Sequence, residues 1–180
     1  MKNIVKIVLA ALVGLLIYLV YDSVSGPMKE MKETERREKA VIARLEKVRD
    51  AELAYKDVKG VFTKDWDELI EFIKVGKFKV LIKEGDEDDS TSVVRYDSIF
   101  VSIKDSVFKN FNVDSLAYVP FGTEGGLKFK LDAGTITQNE VTVQVFEAID
   151  PKPYSKTRQQ EKNPLKVGSM TDATYSGNWQ

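Results

Sequence analysis

Between Ile4 and Tyr21 the chain reads IVKIVLAALVGLLIYLVY, an apolar run whose one charge, Lys6, lies near its start. A helix of this length reaches about 27 Å at ~1.5 Å per residue, enough for one pass through a bilayer's hydrocarbon core. Tyr18 and Tyr21 stand at its far end, where amphipathic rings favour the membrane interface. The run is therefore read as a transmembrane anchor that, with the break after it, occupies residues 1–26. A cleaved signal peptide competes with this reading, because Lys2 and Lys6 make a basic start. The run is long for that role, no A-x-A site follows, and Pro27 after Ser23-Val24-Ser25-Gly26 is a poor place for a cleaved bond.

Two signals disagree about orientation. Lys29, Lys32, Arg36, Arg37 and Lys39 follow the run closely, which by the positive-inside rule places the domain in the cytoplasm. A short N-terminal tail bearing two Lys is instead the usual start of an N-inside signal anchor, and on that ground an extracytoplasmic, periplasmic domain on a bacterial inner membrane is expected.

Gly26-Pro27 is expected to break the helix, with Pro opening a new one where its missing N–H is harmless. Residues 27–40 are charged on all sides. Glu33 with Arg37, and Glu35 with Lys39, are i,i+4 pairs in the favourable order, so this stretch reads as a solvated stalk. From Val41 an apolar stripe begins: Val41, Leu45, Val48, Ala51, Tyr55 and Val58 recur at spacings of four and three until Gly60. Val41, Leu45, Val48, Tyr55 and Val58 are the candidate interaction face, and the domain's own core is the plainer use of the same stripe.

A short helix follows, with Thr63 as its cap, Asp65 and Asp67 at its positive end, Trp66, Leu69, Ile70 and Ile73 inside, and Gly76 as its stop. The period then changes to two. Phe78, Val80 and Ile82; Ile99, Val101 and Ile103; Leu127, Phe129 and Leu131; and Val141, Val143 and Val145 each alternate with polar residues, and Leu116 to Phe121 is a further strand candidate. The expected fold is α+β over residues 41–149, with the long and short helices packed on a mainly antiparallel sheet of four or five strands. Residues 150–180 lack any period and are expected as an irregular tail tethered by Leu165, Val167, Met170, Tyr175 and Trp179.

An apolar N-terminal helix running into an amphipathic one, then Arg49-Asp-Ala-Glu-Leu-Ala-Tyr-Lys, Gly60-Val-Phe-Thr and Leu69, resembles the type IV pilin and type II secretion pseudopilin pattern. In that family a similar stretch ends the long helix before a small antiparallel sheet. The resemblance covers residues 4 to 75 and implies a subunit that works by packing with others rather than by chemistry. Two departures stand against it. No prepilin-peptidase site is present, and Gly26-Pro27 falls where the family's helical spine is continuous. The closing Leu165-Lys-Val-Gly-Ser and Gly177-Asn-Trp-Gln are similar to the ends of uncharacterised envelope proteins of Bacteroidota, which implies a bacterial source and no activity.

Chemistry is constrained by what is missing. With neither Cys nor His, disulfides, thiolate and imidazole metal sites, Cys nucleophiles and Ser-His-Asp triads are all excluded. Lys and Arg total 27 against 28 Asp and Glu, spread among one another, so nucleic acid is not an expected partner. Glu84, Asp86, Glu87, Asp88 and Asp89 form the densest acidic cluster but lack the EF-hand order, and read better as an exposed hairpin loop. Asp97, Asp105 and Asp114 each precede Ser with no base in sight, as turn or cap residues do. Gly122-Thr-Glu-Gly125-Gly126 lacks the Lys-Ser/Thr ending of a phosphate loop. Trp66 and Trp179 sit among apolar residues and read as core rather than contact surface.

The function expected is a non-catalytic, membrane-anchored envelope subunit that assembles with itself or with other proteins and carries no cofactor. The alternative is a ligand- or cation-binding module, or a carboxylate-dependent hydrolase, whose sign would be a concave pocket holding two acids of raised pKa.

Overall fold

The structure, a computed structural model, describes residues 2–84, 95–122, 126–138 and 140–179. One helix dominates it: α1 runs unbroken from Lys2 to Lys59, about 87 Å at ~1.5 Å per residue. The expected break at Gly26-Pro27 is absent, and Pro27 lies inside the helix. Proline's fixed φ is itself helical, so its penalty is one lost hydrogen bond and crowding at the Ser23 carbonyl, about 3 kcal/mol. Long helical runs on both sides propagate through that local defect. Residues of the apolar run are exposed throughout, and the helix that carries them is long and apolar enough to cross a membrane.

Gly60, at φ +80°, ends α1 and returns its N–H to the Lys56 carbonyl at 2.7 Å, as a left-handed cap requires. Helix α2 spans Trp66–Val75, and its N-cap is Asp65 rather than Thr63. Asp65 Oδ1 accepts the Asp67 N–H at 2.8 Å, while Thr63 Oγ1 accepts the Asp65 N–H one step earlier. Leu69, Phe72 and Ile73 are its buried side, and Trp66 is partly buried, donating Nε1–H to the Phe129 carbonyl at 3.1 Å.

Strands form two sheets instead of one. An antiparallel pair, β1 (Lys77–Glu84) and β2 (Arg95–Ser102), stands by itself. A three-stranded antiparallel sheet has the order β3-β4-β5, with β3 at Lys130–Gln138, β4 at Val141–Ile149 and β5 at Lys166–Gly168. Ile103, expected at the end of a strand, instead opens the short helix α3 (Ile103–Ser106), and its N–H bonds the Gly76 carbonyl. The candidate strand at Leu116 to Phe121 does not form: a 3₁₀ turn, Val113–Ser115, leads into it, and it carries turns and a single bridge between Tyr118 and Lys128. Leu127 and Phe129 precede β3 rather than lie in it.

The tail is also more ordered than its composition predicts. It holds α4 (Lys156–Gln160) and β5, which closes the sheet by pairing with the C-terminal end of β4. Leu165 and Val167 are fully buried, and Tyr175 and Trp179 pack against the core from partly buried positions. Neighbouring β4 residues Val145 and Phe146 are both buried, so the strand is covered on both faces. The core lies where Val41, Leu45, Val48, Ala51 and Tyr55 meet α2, Phe129, Phe146 and the tail, making an α+β domain on a long N-terminal helix.

Candidate functional site

The candidate interaction face does not face a partner. Val41, Leu45, Val48 and Tyr55 are buried in the domain's own core, and only Val58, 46% exposed, remains at the surface. An amphipathic stripe records that one side of a helix is covered, and intramolecular packing covers this one. The opposite flank is engaged too: Arg44 donates to the carbonyls of Ser115 and Tyr118, and Lys47 Nζ to that of Val107.

Two features of the described residues carry chemical interest. The first is a buried carboxyl that the apolar stripe hides. Glu52 lies four residues after Val48 and three before Tyr55, on the stripe itself, and is wholly inaccessible. Its Oε2 accepts the Thr63 N–H at 3.2 Å, and Oε1 has no partner. Burial pushes its pKa up to about 8, helped by the nearby Glu68 carboxylate. Glu68 goes the other way: it accepts the Tyr55 hydroxyl at 2.5 Å and the Thr63 hydroxyl at 3.0 Å, and these bonds hold its carboxylate below the usual range. Tyr55, desolvated and bonded to Glu68, is raised to about 12. The cluster thus fixes the α1–α2 turn with one neutral acid and one ionised one.

The second is a groove of about 1100 Å³ between α1 and the segments 119–122 and 150–159. Val41, Val119, Leu127 and Leu165 line it, with Arg37, Tyr154 and Phe121 among the residues around them. Arg37 lies over the Tyr154 ring, 4.2 Å from its centroid, and Arg36 over Phe121 at 4.9 Å. Glu33 takes hydrogen bonds from both arginines, which lower its pKa to about 2. Asp150, buried at the groove, is raised by desolvation against the N–H of Lys152. Glu52 and Asp150 do not share a cavity: Asp150 lines the groove and Glu52 does not.

Other acids resolve into structure. Asp105 sits in the first turn of α3 with its N–H on Ser102 Oγ, and Asp114 pairs with Lys74. The Asp97 side chain, Asp86 to Asp89, and residues 123–125 of the Gly122–Gly126 loop lie outside the described residues. Among the described residues no three acids are grouped to hold a metal ion. Sequence reasoning passes over Glu52, although its place between Val48 and Tyr55 on the apolar stripe is the signal that could have found it, whereas nothing in the aperiodic tail announces the groove. The chain matches no protein-family model, and neither a curated protein nor a solved structure is significantly similar to it.

Proposed function

We propose that this chain is a non-catalytic, membrane-anchored envelope subunit, its domain held outside the cytoplasm, that works by assembling with copies of itself or with other proteins. One observation supports this reading best: a single helix leads from an exposed apolar segment of membrane-spanning length into the centre of the domain core. Such a helix sets the domain's position relative to the anchor, which matters to a subunit in an array more than to a tethered enzyme. A pilin-like scaffold is the sharpest form of the proposal. The continuity of α1 through Pro27 supports it, since a continuous spine is what that resemblance calls for. With the helix face taken up by the core, the anchor helix and the outer edge of β3, whose residues are mostly exposed, are among the surfaces open to assembly.

The test joins topology to crosslinking. A C-terminal reporter active only outside the cytoplasm, with blotting for retention of the N-terminal segment, is expected to give signal at full length. Single Cys residues placed along Ile4–Tyr21 are expected to crosslink in membranes with a helical period. An inside-only signal removes the extracytoplasmic assignment, and absence of any crosslinked species removes self-assembly through the anchor.

A further inference from the structure

Helix α1 is held to the domain in two different ways. From Val41 onward apolar packing holds it. Between Glu30 and Glu38 the hold is electrostatic, across an open groove. Lys156 Nζ lies 2.6 Å from Glu30 Oε1, Arg158 Nε donates to Glu38 Oε1 at 2.8 Å, and Tyr154 and Phe121 carry the guanidinium groups of Arg37 and Arg36 on their rings. Glu33 keeps those arginines in place from within the helix. No hydrogen bond or ion pair among the described residues joins residues 2–29 to the domain. Just before the first tie, Gly26 has nothing within 4 Å of where a side chain would begin, and Pro27 lacks the N–H that would bond Ser23.

We infer that residues 150–159 form an electrostatic strap that fixes the angle between the domain and the Glu30–Glu38 segment of α1, with Gly26-Pro27 as the pivot between that segment and the anchor run. While the strap is closed, α1 from Glu30 onward and the domain move as one body, and bending is confined to the pivot. Opening the strap lets the helix flex as far as Val41, where the core takes hold. The consequence for orientation at a membrane rests on the anchoring proposed above; the strap itself does not.

The chain has no Cys, so pairs of introduced Cys take spin labels cleanly, and distances can be read by pulsed electron resonance on the detergent-solubilised full chain. Lys32→Cys with Gln160→Cys reads the strap, Asp22→Cys with Gln160→Cys the pivot, and Ala43→Cys with Asp172→Cys the core. At low salt the strap distance is expected to be narrow and the pivot distance broad. Lys156→Gln with Arg158→Gln should broaden the strap distance, raising the open-to-closed ratio by up to about fivefold, chiefly through loss of the less exposed Arg158–Glu38 pair, and leave the core distance unchanged. Exchanging charges by Glu38→Arg with Arg158→Glu should restore the narrow distance where Arg158→Glu alone does not. Pro27→Ala should narrow the pivot distance. A strap distance that is broad in the parent, or stays narrow without its ion pairs, overturns the strap. A parent pivot distance as narrow as the strap distance overturns the pivot. Should the core distance broaden in the double variant, the charge exchange decides. Failure of the anchoring proposal would appear in the topology reporter and not in these distances.

Discussion

Thr63 donates its backbone N–H to Glu52 Oε2 at 3.2 Å in a buried setting, so the turn that joins α1 to α2 is fastened by an acid with no second partner. The Glu52 pKa rises from 4.5 in the open chain to about 8 in the fold, which sets the sign of a pH effect. Between those values the folded form holds a proton that the unfolded form has lost. Stability therefore falls as pH rises from 4.5 to about 8, by up to about 1.4 kcal/mol per pH unit, and is level above that. Glu52→Gln is expected to remove this slope, so that the variant is no better than the parent at pH 4.5 and more stable at pH 8. Urea unfolding followed by Trp fluorescence at several pH values measures it, and an unchanged slope would assign the titration to another group.

Leu45 and Val58 belong to one stripe in the sequence and to different environments in the fold. Leu45→Ala empties a fully buried site and should cost about 2–5 kcal/mol. Val58→Ala, at a surface position, should stay within about 0.5 kcal/mol. Equal effects in urea unfolding would contradict the burial described for this helix.

Gly60 and Gly168 share a left-handed backbone, at φ +80° and +75°. At Gly60 a Cβ would meet nothing within 4 Å, so Gly60→Ala should cost only about 1–2 kcal/mol of backbone strain. At Gly168 it would stand 2.2 Å from the Phe146 carbonyl oxygen, in the β4–β5 ladder. Gly168→Ala should therefore cost clearly more than Gly60→Ala and loosen the tail, seen as faster amide exchange at Lys166 and Val167. The reverse ranking would refute the β5 register.

Asp65→Ala removes the α2 N-cap acceptor and should cost about 1 kcal/mol. Thr63→Ala should cost more, because it removes both the acceptor for the Asp65 N–H and a donor to Glu68. Comparing the two by urea unfolding separates the cap from the support beneath it.

The sequence by itself determined the local and periodic parts of this protein: the exposed apolar helix, the amphipathic stripe, α2 with its stop at Gly76, the alternation behind β1, β2 and β4, and the absence of imidazole and thiol chemistry. Each is written in neighbouring residues, through hydrophobic period, capping and backbone preference. Tertiary structure decided the rest. Whether Pro27 ends a helix depends on the helical runs around it, and whether a stripe meets a partner or its own domain depends on chain far away in sequence. The tail carries no period because Leu165, Val167 and Tyr175 bury themselves against elements already formed. The strap follows the same rule: Glu38 and Arg158 are 120 residues apart, and only folding makes them neighbours.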